Sequence, residues 1–148
     1  MDFAKEQILK RGYRISNYFD EGQTFQIYTE KGGIDYEQLS KGLSYLKYAL
    51  SKGIPVIVGV DNKSGHPGNL DKSTDHFIVI VGMGTDVKGK YFLFFDNASG
   101  SVSQGASNEN KLYYNASNSK ITGKTQCFSY RNCCTKYDYI ITQIRKSK

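Results

Sequence analysis

Side chains that trade protons near neutral pH are scarce in this chain, which has two histidines, His66 and His76. A general base must titrate in that range, and imidazole is the usual choice. It must also be held in one tautomer by an acceptor on its other ring nitrogen, often a carboxylate or an Asn side chain. His76 opens an apolar run, and Asp96, followed by Asn97, closes the next one. Both His76 and Asp96 stand ten positions from Asp86, in the turn between the runs. A symmetric antiparallel hairpin then sets them directly opposite each other, within reach of an imidazole–carboxylate hydrogen bond. The plain alternative is that Asp75 and His76 end a loop while Asp96 and Asn97 start a turn, as Asp and Asn often do. His66 sits among Gly65, Pro67 and Gly68, in a loop facing water.

A nucleophile is harder to find. Cys127, Cys133 and Cys134 lie within eight residues of one another, late in the chain. An odd, clustered set makes no disulfide framework, although Cys127 can bridge to either member of the adjacent pair. With His66 and His76 as the only histidines, no metal-ligand spacing appears, and no cofactor is called for. Ser73 and Thr74 precede His76, but no glycine-flanked elbow surrounds them, so they read as ordinary loop residues.

The elements that must position these groups divide the chain in two. Residues 3–11 predict a helix, with Phe3, Ile8 and Leu9 on one face and Gly12 at its C-terminus. Short strands are expected at Tyr13–Ile15 and within Thr24–Thr29, with a turn at Lys31–Gly33. A second helix starts at Asp35, which caps it together with Gln38; Leu39, Leu43, Leu46 and Leu50 share a side, and Gly53 and Pro55 end it. The period then changes to strands at Pro55–Val60, His76–Gly82 and Lys90–Asp96, separated by a polar loop over 61–74 and a turn over 84–89. A Ser- and Asn-rich loop is expected from Asn97 to about Glu109. A short strand at Leu112–Tyr114 and a closing strand at Asp138–Ile144 complete the pattern. Helices first and a meander of strands afterwards predict an α+β domain, with N-terminal helices packed on an antiparallel sheet.

The totals agree with one globular domain over residues 1–148. Hydrophobic residues make up 39% and charged residues 23%, which excludes a disordered chain. Twelve Tyr and eight Phe suit a strand-rich fold. No apolar run is long enough to span a bilayer, and the first residues do not read as a signal peptide. The net charge of +6 is scattered outside Lys10–Arg14 and the tail Arg145–Lys148, a weak basis for nucleic-acid binding. Sequons at Asn62, Asn97 and Asn115 are expected by chance in a chain this rich in Asn and Ser.

Three segments carry a resemblance: Gly53-Ile54-Pro55-Val56-Ile57-Val58-Gly59-Val60, Asp75-His76-Phe77-Ile78-Val79-Ile80-Val81-Gly82 and Tyr91-Phe92-Leu93-Phe94-Phe95-Asp96. In that order they resemble the second half of papain-like bacterial cysteine peptidases. The nearest pattern is that of the double-glycine leader peptidases and related domains, including toxin domains at the C-termini of large secreted bacterial proteins. The matched stretch covers about a third of the chain. The resemblance implies a papain-like fold with His76 as general base, Asp96 as its orienting partner and Asn97 as the alternative in that role. It implies attack on an amide bond of a peptide or of peptidoglycan, and a secreted or delivered bacterial domain. It also implies a Cys at the start of the first helix, with a donor such as Gln just upstream. No Cys stands there, so the chain is expected to be either a fragment lacking its N-terminal part or an inactive relative. A non-catalytic interaction module on the same scaffold is the alternative.

Overall fold

The computed structural model describes residues 2–14, 20–65, 69–98, 101–125, 128–130, 133–135 and 138–147. The elements in chain order are α1 (Asp2–Leu9), β1 (Thr24–Gln26), β2 (Tyr28–Thr29), β3 (Gly33–Ile34), α2 (Tyr36–Ser51), β4 (Val56–Asp61), β5 (His76–Asp86), β6 (Gly89–Phe95), α3 (Val102–Gly105), β7 (Lys111–Asn115), β8 (Lys120–Lys124), β9 (Phe128–Tyr130), β10 (Cys133–Thr135) and β11 (Asp138–Arg145).

The α2 signals act at both its ends, although the Asp35 amide donates to the Ile27 carbonyl at 3.0 Å and so forms no reciprocal bond with the Gln38 side chain. Asp35 caps α2 by accepting the Gln38 amide at 2.9 Å. At the other end Gly53, at φ +70°, takes the left-handed turn that lets the Ile54 amide reach back to the Ala49 carbonyl at 2.9 Å. Leu39, Leu46 and Ala49 are buried by this helix, while Leu43 and Leu50 are partly covered. Helix α1 is shorter than expected, and the Tyr13–Arg14 segment is not a strand. Ile15, which completes that expected strand, lies outside the described residues.

The sheet overturns the expected architecture. Instead of helices laid on an open papain-like sheet, strands dominate, at 41% of the chain against 21% helix, and they close into an antiparallel barrel. The order is β11-β4-β5-β6-β7-β8, and β8 pairs back onto β11. Strand β11 makes this possible because its two edges are used differently. One edge pairs with β4 from Ile140 to Arg145. The other is divided, with β8 against Asp138–Ile140 and β1 against Gln143–Arg145. Closure leaves the six strands few open edges, which is how such sheets avoid pairing with other chains.

Alternation then sorts the side chains. Val56, Val58, Val60, Ile78, Ile80, Phe92, Phe94, Leu112, Ile121, Tyr139, Ile141 and Ile144 form one buried cluster, which α2 completes. On the opposite face of β4 and β5, Ile57, Phe77 and Val79 pack against Ala4 and Ile8 of α1. Among the described residues, no helix is long and apolar enough to cross a membrane.

The strand connections are uneven in a way that matters for function. Two tight hairpins, β5–β6 and β7–β8, lie at one end of the barrel. The long connections after β4, β6 and β8 all leave from the other end, where His76 and Asp96 are. Loops held by a rigid scaffold are where binding and catalysis concentrate. The second connection is not the open loop expected: it contains α3, and Asn110 near its end is buried, donating to the Gln104 and Gly105 carbonyls.

The β7–β8 hairpin holds its two strands so close that Gly123 has no room for a side chain. A Cβ there would stand 2.2 Å from the Lys111 carbonyl oxygen. Gly123→Ala is predicted to cost about 3 kcal/mol in chemical denaturation, since backbone must move. A loss below about 0.5 kcal/mol, the range of an ordinary surface change, would contradict this close approach.

Candidate functional site

The site begins with a register shift. From the tip of the hairpin the β5–β6 ladder runs Asp86↔Gly89 to Gly82↔Leu93, then steps to Ile80↔Phe94 and Val79↔Phe95. Val81 is therefore an extra residue, a β-bulge in β5. One more step along the shifted ladder sets Asp96 opposite Ile78, two residues along from His76 and on the same face. The pair is thus diagonal rather than directly opposed, a separation that an imidazole and a carboxylate can still bridge. His76 Nε2 lies 2.8 Å from Asp96 Oδ1.

Asp96 is 3% exposed, and its carboxylate is held from several sides. The Ala98 amide donates to Oδ1 at 2.8 Å, an Asx-type turn. The Tyr139 hydroxyl, from β11 on the far side of the barrel, donates to Oδ2 at 2.7 Å. Burial alone raises a carboxyl pKa. Here the His76 hydrogen bond and charge, the Ala98 amide and the Tyr139 hydroxyl outweigh it and hold Asp96 below its ordinary value of 3.8. Tyr139 is 1% exposed, and its ring lies 6.0 Å from the His76 ring and 6.1 Å from that of Phe94. His76 keeps 21% of its side chain exposed. With Nε2 committed to Asp96, Nδ1 is the nitrogen that can take a proton from another group. Among the described residues it has no hydrogen-bond partner.

Behind His76, just past the Val60↔His76 end of the β4–β5 ladder, the Asp75 amide donates to the Val60 carbonyl at 2.9 Å and the Asp75 and Asp61 carboxyls meet. Asp75 Oδ2 accepts the Asn62 and Lys63 amides at 2.9 Å, and Asp61 Oδ1 accepts the Lys63 amide at 3.1 Å. Burial is the main reason the Asp61 carboxyl is pushed up to about 6; Glu30 and the hydrogen-bonded Asp75 carboxyl add to it, against the Lys63 amide. Beside Asp96, a cavity of about 480 Å³ opens between Gln7 of α1, Phe95 and Asn97 at the end of β6, and Val102, Gly105 and Ala106. The Asp96 amide donates to the Gly105 carbonyl at 2.9 Å, which pins the cavity wall to the dyad.

Of the three residues expected at the site, His76 and Asp96 come together. Asn97 is exposed, lines the cavity and makes no hydrogen bond to His76. Ser73 and Thr74 are structural: both are buried and tied to Asp71, and Thr74 Oγ1 also meets Thr142 Oγ1 at 2.5 Å. His66, Cys127 and the side chains of Cys133 and Cys134 lie outside the described residues. Among those described, no three His, Cys, Asp or Glu side chains gather as a metal site. Sequence reasoning missed Tyr139 and Asp61. Each is the inward or paired residue at one end of a strand, a role visible only once β11 has partners on both sides.

Compared with family models, with curated proteins and with solved structures, the chain matches none. The functional reading therefore rests on this geometry and on the motif pattern.

Two pH dependences follow, of opposite sign. Asp96 binds a proton less tightly folded than unfolded, so its contribution is full above the ordinary value of 3.8 and is lost as the pH falls from there through its lower folded-state value. Asp96→Asn is predicted to cost about 2 kcal/mol in urea unfolding at neutral pH, a penalty that shrinks as the pH falls below the ordinary carboxyl value of 3.8. Asp61 binds a proton more tightly folded, so stability falls as pH rises from 3.8 through about 6. Asp61→Asn is predicted to match the wild-type melting temperature near pH 4 and exceed it near pH 7.5, roughly the two sides of that window. A melting temperature for Asp61→Asn below wild type at the higher pH would contradict this.

Proposed function

We propose that His76 and Asp96 are the base-bearing half of a thiol hydrolase that acts on an amide bond in a peptide or in peptidoglycan. The observation that carries the proposal is the Nε2–Asp96 bond of 2.8 Å, with Asp96 buried and braced by Tyr139. A base needs one orientation and a second ring nitrogen left to take the proton, and a carboxylate bonded to Nε2 supports both.

In the reaction, Nδ1 takes the proton of a cysteine thiol as the thiolate attacks the amide carbonyl carbon. The tetrahedral intermediate collapses to a thioester as the C–N bond breaks, and His76 returns the proton to the leaving amine. Water then attacks the thioester carbonyl, losing its proton to His76, and the thiol leaves with a proton. Asp96 stabilises the imidazolium at each stage. The motif resemblance implies a Cys at the start of α1, and none stands there, so on this reading the 148-residue chain by itself is expected to cleave no amide. Extension to a peptidase toxin domain delivered by a bacterium rests on the motif resemblance alone.

The absence of a Cys from α1 favours a second reading, a non-catalytic module that keeps the dyad as a structural element. Hydrolysis of p-nitrophenyl acetate, which imidazole attacks without a thiol, separates the two. The hydrolase reading predicts a His76-dependent rate at least about ten times that of equimolar free imidazole, with Asp96→Asn falling to the free-imidazole level. A wild-type rate no better than free imidazole sinks it. Amide turnover by the chain that survives in His76→Ala would also count against it. Turnover lost in Cys127→Ala or Cys134→Ala as well as in His76→Ala would keep the dyad and place the thiol between β8 and β11.

A further inference from the structure

At the hairpin end of the barrel, away from the dyad, one stretch of strand edge lacks a partner. Strand β5 extends from His76 to Asp86, but β4 pairs only with His76–Ile80. The β4 ladder stops at Val56 because Pro55 precedes it, and a proline has no N–H to extend the pairing. From Gly82 to Asp86, β5 is therefore paired with β6 on one side only, among the described residues. An edge of this kind presents its own N–H and C=O groups for pairing.

Beside the edge lies a groove of about 420 Å³ between α2 and the β5–β6–β7 sheet. Its floor is apolar, made by Leu43, Met83, Phe92 and Tyr114, and Met83 is 48% exposed. Lys47 and Lys90 form its charged lining, and no acidic residue lines it. Neither lysine makes an ion pair among the described residues. The acid nearest in the hairpin, Asp86, is already engaged: the Tyr113 hydroxyl donates to it at 2.7 Å, Lys111 at 3.0 Å and the Lys88 amide at 2.8 Å.

We propose that this groove and the adjoining edge of β5 bind an acidic peptide segment of another protein in extended conformation. Three features select that occupant. The open edge of Gly82–Asp86 pairs with peptide backbone, which neither a nucleic acid nor a lipid offers. Alternate side chains of an added strand point to one face, where the apolar floor receives them. Lys47 and Lys90 then meet the carboxylates at the rim. A second copy of this chain would bring the same lysines to the same edge, and at a net charge of +6 it is the less favoured partner. The site is independent of the His76–Asp96 reading.

The test uses the whole chain, labelled with ¹⁵N, and two short blocked peptides. One alternates Glu with Val or Leu, and the other has Lys in place of Glu. The acidic peptide is expected to shift the amide signals of Gly82–Asp86 and slow their hydrogen exchange; the basic one is expected to do neither. Lys47→Glu combined with Lys90→Glu, both exposed positions, is expected to weaken binding by about tenfold or more with the spectrum otherwise unchanged. No shift with the acidic peptide at about 1 mM overturns the proposal and leaves the lysines and the bulge as guards of the edge. Shifts confined to other strands, equal binding by the basic peptide, or equal displacement by an oligonucleotide would each overturn it as well.

Discussion

One inserted residue, Val81, decides whether this molecule has a site. Side chains alternate along a strand, so a slip of one residue in pairing exchanges the two faces of the sheet. Without the bulge, the pairing Gly82↔Leu93 would run on to set Asp96 opposite Val79. Val79 belongs to the outer face that packs on α1, so the carboxylate would face away from His76. With the bulge, Asp96 shares the inner face with His76, Ile78 and Ile80. A second irregularity, between Ile141 and Gln143 in β11, likewise keeps Ile144 in the core beyond Ile141.

Closure of the barrel supplies the rest. A buried carboxylate is costly unless each of its oxygens is satisfied. Asp96 meets that requirement with donors from three places: His76 from its own hairpin, Ala98 from the following turn, and Tyr139 from the strand that closes the cylinder. The same closure gathers the three long connections at the dyad end and leaves the tight turns at the other. The dyad thus lies at the loop end of the barrel and the basic groove at the hairpin end.

Local signals made part of this legible. The α2 cap at Asp35, its stop at Gly53 and the three apolar strands are each written in a few adjacent residues, and each stands. The pairing of His76 with Asp96 also follows from counting, although the count was centred on Asp86 whereas the ladder turns between Asp86 and Gly89. The later turn centre and the bulge shift the register in opposite directions, and the net displacement of two residues preserves the shared face. Closure was not legible. Strand β8, Lys-Ile-Thr-Gly-Lys, has one buried apolar residue, Ile121, and its Gly123 signals a close approach rather than a strand. That β8 pairs with β11 is a non-local fact with no local pattern, and Tyr139 acquires its role only from it.

The central claim is that Asp96 fixes His76 with the proton on Nε2, leaving Nδ1 as the base. Long-range ¹H–¹⁵N correlation of the His76 ring, in the neutral state, measures this directly. The account predicts a single Nε2–H tautomer that becomes a mixture in Asp96→Asn. A wild-type ring with the proton on Nδ1, or already a mixture, would contradict it.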